Sequence, residues 1–203
     1  MHRVFISYHH ANDQWYKERL VQFGKDYNIF IDGSVDTGDI PDDWDDEKIR
    51  MVIRDEYLAD TTVTILLVGR ETKYRKHIDW ELYSSMYDGI KNKKSGIIVI
   101  HLPEVSSAYK TAAHVGEKEK VFPSELSWTT VSSREEMEKR YPFIPERIID
   151  NLLHKGAKIS VINWDDLDSS KLSYMIEMAW GDKESCDYDL SRRMRRNNSG
   201  PRL

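Results

Sequence analysis

Cysteine and long hydrophobic runs are scarce in this chain, and both shortages narrow the classes of protein that it can belong to. Cys186 is the only cysteine among 203 residues, so an intrachain disulfide and a cysteine-based zinc site are excluded. No apolar run approaches the roughly 20 residues that a membrane-spanning helix needs, and the first residues lack the pattern of a signal peptide. We therefore expect a soluble, cytoplasmic protein that has no membrane partner.

An excess of positive charge is missing as well. The formal net charge is −5 at pH 7, and because phosphate binding depends on clustered Lys and Arg, we expect no nucleic-acid partner. Only residues 191–203 form a basic tail, whose turn-forming residues favour a frayed chain end over a contact arm. His9 and His10 are adjacent at the end of a predicted strand, where successive side chains point apart, so we expect no metal site.

Short apolar segments alternate with segments of helical spacing along most of the chain. Strands are predicted at residues 3–9, 27–32, 61–69, 96–102 and 157–163, with helices between them. Because parallel strands need crossover connections, this alternation predicts a flavodoxin-like, doubly wound α/β fold with a parallel sheet of about five strands. We interpret residues 1–190 as one domain, with residues 103–145 as an irregular insertion over the C-terminal edge of the sheet, before the last strand.

In such a sheet, ligands bind beyond the C-terminal ends of the strands. Three features reach that edge: Tyr8 after the first strand, an acidic loop at residues 33–46, and Glu81 near the start of a helix. The helix that follows the first strand is predicted to be capped by Asn12 or Asp13. The pattern makes Glu81 a candidate functional carboxylate.

Two blocks of the sequence resemble TIR domains. Residues 4–15, VFISYHHANDQW, are similar to the opening TIR box, in which a strand ending in Phe-Ile-Ser-Tyr precedes an Asp two residues before an aromatic. Residues 62–81 resemble the strand, polar loop and helix that carry the catalytic glutamate of TIR domains. More narrowly, residues 163–165 and the helix after them are similar to the TIR-like, NAD-consuming protein of bacterial Thoeris antiphage defence, the ThsB type.

The resemblance implies that Glu81 is the catalytic carboxylate of an enzyme that cleaves NAD. NAD is then the substrate, and no cofactor is expected. The implied products are nicotinamide and a cyclic ADP-ribose signalling nucleotide that activates a separate antiphage effector. The residues themselves do not decide whether water or an atom of the same nucleotide attacks the ribose. Further partners that we consider are a phage-derived trigger and a second copy of the chain in a homo-oligomer.

One carboxylate can suffice for this chemistry, because the nicotinamide of NAD is already cationic and leaves as a neutral molecule. An ionised Glu81 then stabilises the positive charge that grows on the ribose. We expect the helix start and the basic residues 70–77 to favour this ionised form. Many catalytic TIR sequences have a Trp four residues before the Glu, whereas here His77 holds that position and Trp80 directly precedes Glu81. The candidate substrate-binding residues are Phe5, Ser7, Tyr8, Asp36, Trp44, His77 and Trp80.

Two alternatives remain open. The first is a TIR module without catalysis that works by assembling with other TIR domains, and it predicts no loss of function in the Glu81→Gln variant. The second is an enzyme like the nucleoside deoxyribosyltransferases, which also combine a flavodoxin-like sheet with a catalytic Glu but act on nucleosides.

Overall fold

A parallel sheet lies at the centre of the protein. The computed structural model describes residues 1–34, 41, 43–90 and 92–200. Its five strands are β1 (His2–Ser7), β2 (Phe30–Asp32), β3 (Val63–Val68), β4 (Gly96–His101) and β5 (Ile159–Asn163). All neighbouring strands pair in parallel, in the order β2-β1-β3-β4-β5. The predicted flavodoxin-like, doubly wound parallel sheet is thus confirmed.

Helices cover both faces of this sheet. The described helices are α1 (His10–Asp26), α2 (Asp46–Val52), α3 (Lys76–Met86), α4 (Glu117–Val121), α5 (Arg134–Arg140), α6 (Glu146–Leu153) and α7 (Ser169–Asp182). A π-helical turn at Ile53–Tyr57 continues α2, and a short 3-10 turn at Thr72–Tyr74 precedes α3. No helix in the described part of the chain combines the length and the apolar content needed to cross a lipid bilayer.

The alternation of side chains along β1 separates the two faces. Val4 and Ile6 belong to the buried cluster that includes Leu20 of α1 and Leu172 of α7. Phe5 belongs to a cluster on the other face, with Trp80 of α3. Because both faces are packed, the central strands are mainly apolar instead of alternating with polar residues. Ser7, on the Phe5 side, is the polar exception at the end of β1.

Two local predictions were wrong. The first helix begins at His10 and is capped by His9, whose side chain accepts a hydrogen bond from the backbone N–H of Asn12. Neither Asn12 nor Asp13 is the cap, because the strand ends earlier than predicted and the helix follows at once. The second strand is limited to Phe30–Asp32, since Asn28 has a left-handed backbone (φ 52°) that interrupts an extended segment starting at residue 27.

Residues 103–145, predicted as an insertion over the C-terminal edge of the sheet, run beside β5. Thr111 forms an isolated antiparallel bridge with Val161. Phe122 joins the buried cluster on one face of the sheet, and Met137 joins the cluster on the other. The segment therefore contributes to the core on both faces.

Candidate functional site

The site is built where β1 ends beside α3. Ser7 is the last residue of β1, and its hydroxyl donates a hydrogen bond of 2.6 Å to Oε2 of Glu81. Glu81 is the sixth residue of α3 and is only 2% exposed. Ser7 is one of the predicted substrate-binding residues, but in this conformation its hydroxyl is bonded to the Glu81 carboxylate. The bond links the two TIR-like blocks of the sequence.

Burial controls the protonation of Glu81. Desolvation raises the pKa of its carboxyl from an ordinary value of 4.5 to about 7, and the hydrogen bond from Ser7 opposes this rise. We expected the helix start and the basic residues 70–77 to favour the anion, and this expectation was wrong. Glu81 lies beyond the first turn of α3, where the helix dipole is weak, and Arg75 pairs with Glu71 instead.

Two predicted aromatic residues pack on the face of β1 that carries Ser7. Phe5 and Trp80 belong to one buried cluster together with Ile49 of α2. The same cluster includes Met194, which is 4% exposed and comes from the basic tail. The Trp80 indole N–H donates a hydrogen bond of 2.7 Å to the carbonyl of Arg195. Both aromatic faces that we expected to stack on a substrate are thus covered by the protein itself.

The remaining predicted residues take different places. Trp44 is half-buried against the Phe5 cluster, with the Lys48 ammonium 3.8 Å from the centroid of its ring. His77 lies edge-on to Trp80, with 4.9 Å between the ring centroids. Asp36 lies outside the described residues.

Tyr8 is separated from the other candidates by the sheet. It packs in the cluster of α1 and α7, on the face opposite Phe5 and Ser7. Its ring stacks on His10 at 4.5 Å between centroids, and its hydroxyl donates to Gln14 at 2.5 Å. Successive side chains of an extended chain point to opposite faces of the sheet, so Tyr8 lies on the face opposite Ser7. The structure therefore does not bring Tyr8 together with Glu81.

The basic tail is docked, so the prediction of a frayed end was wrong for its described part, residues 191–200. The backbone N–H of Arg195 donates to Oδ2 of Asp79 at 2.8 Å. Nearer the chain end, the Asn198 side chain accepts from the backbone N–H of Lys76 at 3.0 Å, and the Ser199 N–H donates to the Tyr74 carbonyl at 3.0 Å. Asn198 thereby satisfies a backbone donor that the first turn of α3 would otherwise leave unpaired.

A buried ion pair between α3 and α6 binds the main chain of the tail. Arg147 of α6 is fully buried and binds both carboxylate oxygens of Asp79, at 2.8 and 3.0 Å. Its remaining N–H groups donate to the carbonyls of Arg192 and Arg193, at 2.9 and 3.2 Å. The tail is therefore recognised through its main chain, and this recognition depends on two side chains from different helices.

Sequence reasoning missed Asp79, Arg147 and Met194. The only signal in the sequence was Met194 itself, a single apolar side chain within the run SRRMRR. An isolated apolar residue in a polar tail does not specify where it packs. Asp79 and Arg147 are 68 positions apart, so only the folded chain shows that they are partners.

Comparisons with known proteins gave one match. The family described as the TIR-like domain of the Thoeris protein ThsB matches residues 5–107. This span contains Ser7, Glu81 and the Phe5 and Trp80 rings, whereas α6 and the tail lie outside it. No curated protein and no solved structure matches the chain.

Proposed function

Because the chain belongs to the family of Thoeris ThsB TIR-like domains, we propose that it cleaves NAD and that Glu81 is its catalytic carboxylate. The observation that carries the proposal is a desolvated glutamate, bound by Ser7 at the C-terminal end of a parallel sheet. The buried Phe5 and Trp80 rings lie on the same face of β1 as Ser7. Carboxyls in functional sites commonly have perturbed pKa values caused by burial. Such sites in open α/β sheets also lie at this edge.

The proposed reaction breaks the bond between nicotinamide and the ribose carbon. The bonding electron pair leaves with nicotinamide, which becomes neutral, and positive charge develops on the ribose. An ionised Glu81 beside the ribose stabilises this oxocarbenium-like charge, and in a water-poor pocket the stabilisation is larger than in bulk solvent. Ser7, which donates to the ionised carboxylate, keeps it in a fixed orientation.

The second step decides the product. If water attacks the ribose carbon, a proton is released and ADP-ribose forms. If a nitrogen or hydroxyl of the same nucleotide attacks and loses its proton, a cyclic isomer forms. Exclusion of water favours the cyclic product, and we propose a cyclic ADP-ribose as the signal. We propose that this nucleotide activates a separate antiphage effector and that a phage-derived trigger starts its synthesis.

The Glu81→Gln variant is expected to lose nicotinamide release by about 100-fold or more, because the neutral amide removes the charge that stabilises the transition state. The measurement is incubation of the purified wild type and the variant with NAD, with products resolved by mass. Extracts of phage-infected cells, assayed in parallel, supply a trigger. Unchanged protection against phage in the variant would instead favour a TIR module without catalysis, and turnover of nucleosides but not NAD would favour a deoxyribosyltransferase-like enzyme.

The pH dependence gives a separate test. Catalysis requires the ionised carboxylate, and burial raises the pKa of Glu81 to about 7. The kcat/KM for NAD is therefore expected to increase with pH, to be half-maximal near pH 7 and to level off above it, since this ratio reports the free enzyme. Initial rates at low NAD concentration between pH 5.5 and 8.5 measure it. A flat profile over this range would contradict the proposed role of Glu81.

A further inference from the structure

We propose that residues 191–199 form an autoinhibitory strap that closes the Glu81 pocket, and that substrate enters only after this strap is displaced. The inference rests on the proposed function and adds its regulation. Glu81 is 2% exposed, so a nucleotide cannot contact the carboxylate unless a covering segment moves. The tail binds Trp80, the residue directly before Glu81 in α3, and we take it as that segment.

The strap joins the two walls of the pocket. On the first wall, before α2, the Arg196 guanidinium donates to the Trp44 carbonyl at 2.9 Å and pairs with Asp46 at 2.6 Å. On the second wall, at the start of α3, Asn198 and Ser199 bind the backbone of residues 76 and 74. Between these walls lies Phe5, on the strand that carries Ser7. A segment bonded to both walls holds them together across β1.

The strap also fills the space between the walls. The Met194 side chain is buried in the cluster of Phe5 and Trp80, and the Arg195 carbonyl occupies the indole N–H of Trp80. Trp80 directly precedes Glu81 in α3. The strap therefore covers the Trp80 ring and occupies its indole N–H, and Trp80 is the aromatic residue next to Glu81 in the chain. An aromatic ring of a nucleotide would have to take the same surface.

The packing of the strap suits a removable segment. Met194 is its only buried residue, and most of the others are exposed. An open cleft of about 180 Å³ lies on one side of it, lined in part by Lys73 and Arg75, and another of about 330 Å³ lies on the other side, lined in part by Tyr83 and Tyr87. The strap is therefore in contact with solvent along both sides. The strap is thus attached through one apolar side chain and several polar bonds.

The test uses the full chain and two matched variants. Met194→Asp places a charge in the buried cluster and is expected to release the strap, whereas Met51→Asp makes the same change at a methionine of α2 that is 48% exposed. In a Cys186→Ser background, the thiol of a Ser7→Cys substitution reports access to the pocket by its rate of reaction with a thiol reagent. We expect labelling at least tenfold faster with Met194→Asp than with Met51→Asp. Without the reporter substitution, we expect nicotinamide release from NAD to rise by a similar factor.

A reversible lock covers the case in which Met194→Asp does not fold. Tyr74 and Ser199 are joined by a backbone hydrogen bond, so Tyr74→Cys with Ser199→Cys, again with Cys186→Ser, places two thiols where a disulfide closes the strap. The oxidised protein is expected to release nicotinamide at least tenfold more slowly than the reduced protein. Arg196→Glu breaks the contacts to the first wall and is expected to raise the rate of nicotinamide release. Arg19→Glu, on the exposed surface of α1, is the matched control and is expected to leave this rate unchanged.

The results separate the strap from the chemistry. Equal labelling of the two Asp variants, or equal rates for the oxidised and reduced lock, would overturn the strap. Faster labelling with Met194→Asp, without nicotinamide release from any form of the protein, would retain the strap as a gate and overturn the cleavage of NAD. Faster labelling together with faster nicotinamide release would support both.

Discussion

The Glu81→Gln variant is expected to be more stable than the wild type above pH 7, by about 3 kcal/mol in free energy of unfolding. Burial raises the pKa of the Glu81 carboxyl from 4.5 to about 7, so the folded state favours the protonated form. Below about pH 4.5, the carboxyl is protonated in both states and carries no penalty. Between these two pKa values, the unfolded chain ionises first and the stability of the folded protein falls. Above about pH 7 the full penalty applies, and a neutral amide avoids it.

Urea unfolding at pH 4.5 and pH 8 measures this difference. The stability advantage of the variant is expected to be near zero at the lower pH and to reach its full value at the higher one. Glu119→Gln, on the exposed side of α4, is the matched control and is expected to change stability by less than about 0.5 kcal/mol at both pH values. A variant that is less stable than the wild type at pH 8 would mean that the anion has partners other than Ser7 in the folded protein.

The Arg147→Met variant is expected to lose about 3–5 kcal/mol of stability. Arg147 is fully buried and binds both oxygens of Asp79, and methionine would fill much of the space but leave the carboxylate without its partner. The Arg195 N–H still donates to Asp79, but one backbone donor does not replace a bidentate cation, so the buried charge becomes costly. Thermal unfolding should show a decrease of roughly 10 °C in Tm.

Two further variants check the cause of this loss. Lys139→Met removes a cation of the exposed Glu135–Lys139 pair on α5 and is expected to cost less than about 0.5 kcal/mol, as is typical of surface pairs. The double variant Asp79→Leu with Arg147→Met removes both charges and is expected to recover most of the stability. If the double variant is as unstable as Arg147→Met, the bonds from Arg147 to the tail carbonyls, and not the unpaired carboxylate, dominate the loss.

Glu81→Gln is expected to raise the stability of the fold and Arg147→Met to lower it. The contrast distinguishes Glu81 from Asp79, the two acidic residues of α3. Asp79 is neutralised by Arg147 and contributes to holding the fold and the tail together. Glu81, two positions later, faces a single hydroxyl donor, and its burial opposes its ionisation. Carboxyls that destabilise the fold in this way are characteristic of functional sites, where stability is given up for chemistry.

Several elements could be predicted from the sequence because their signals are local. The strands predicted at residues 61–69 and 96–102 contain β3 and β4, whose apolar runs are buried along their whole length. The strand alternation of β1 should have separated Tyr8 from Phe5 and Ser7, so that error was avoidable. The cap of α1 was missed because His9 is an uncommon capping residue.

The sequence by itself determined the parallel sheet, the helices on both faces, and the position of Glu81 near the strand ends. These features depend on the spacing of apolar residues and on the order of strands and helices, which short segments of the chain already show. Only the tertiary structure decided that Ser7 binds Glu81, that burial raises the pKa of this carboxyl, and that Met194 and Arg195 contact the Phe5 and Trp80 cluster. Each of these depends on residues far apart in the chain, from 74 positions between Ser7 and Glu81 to 115 between Trp80 and Arg195. Desolvation and occlusion are produced by the whole fold, so no local pattern of residues encodes them.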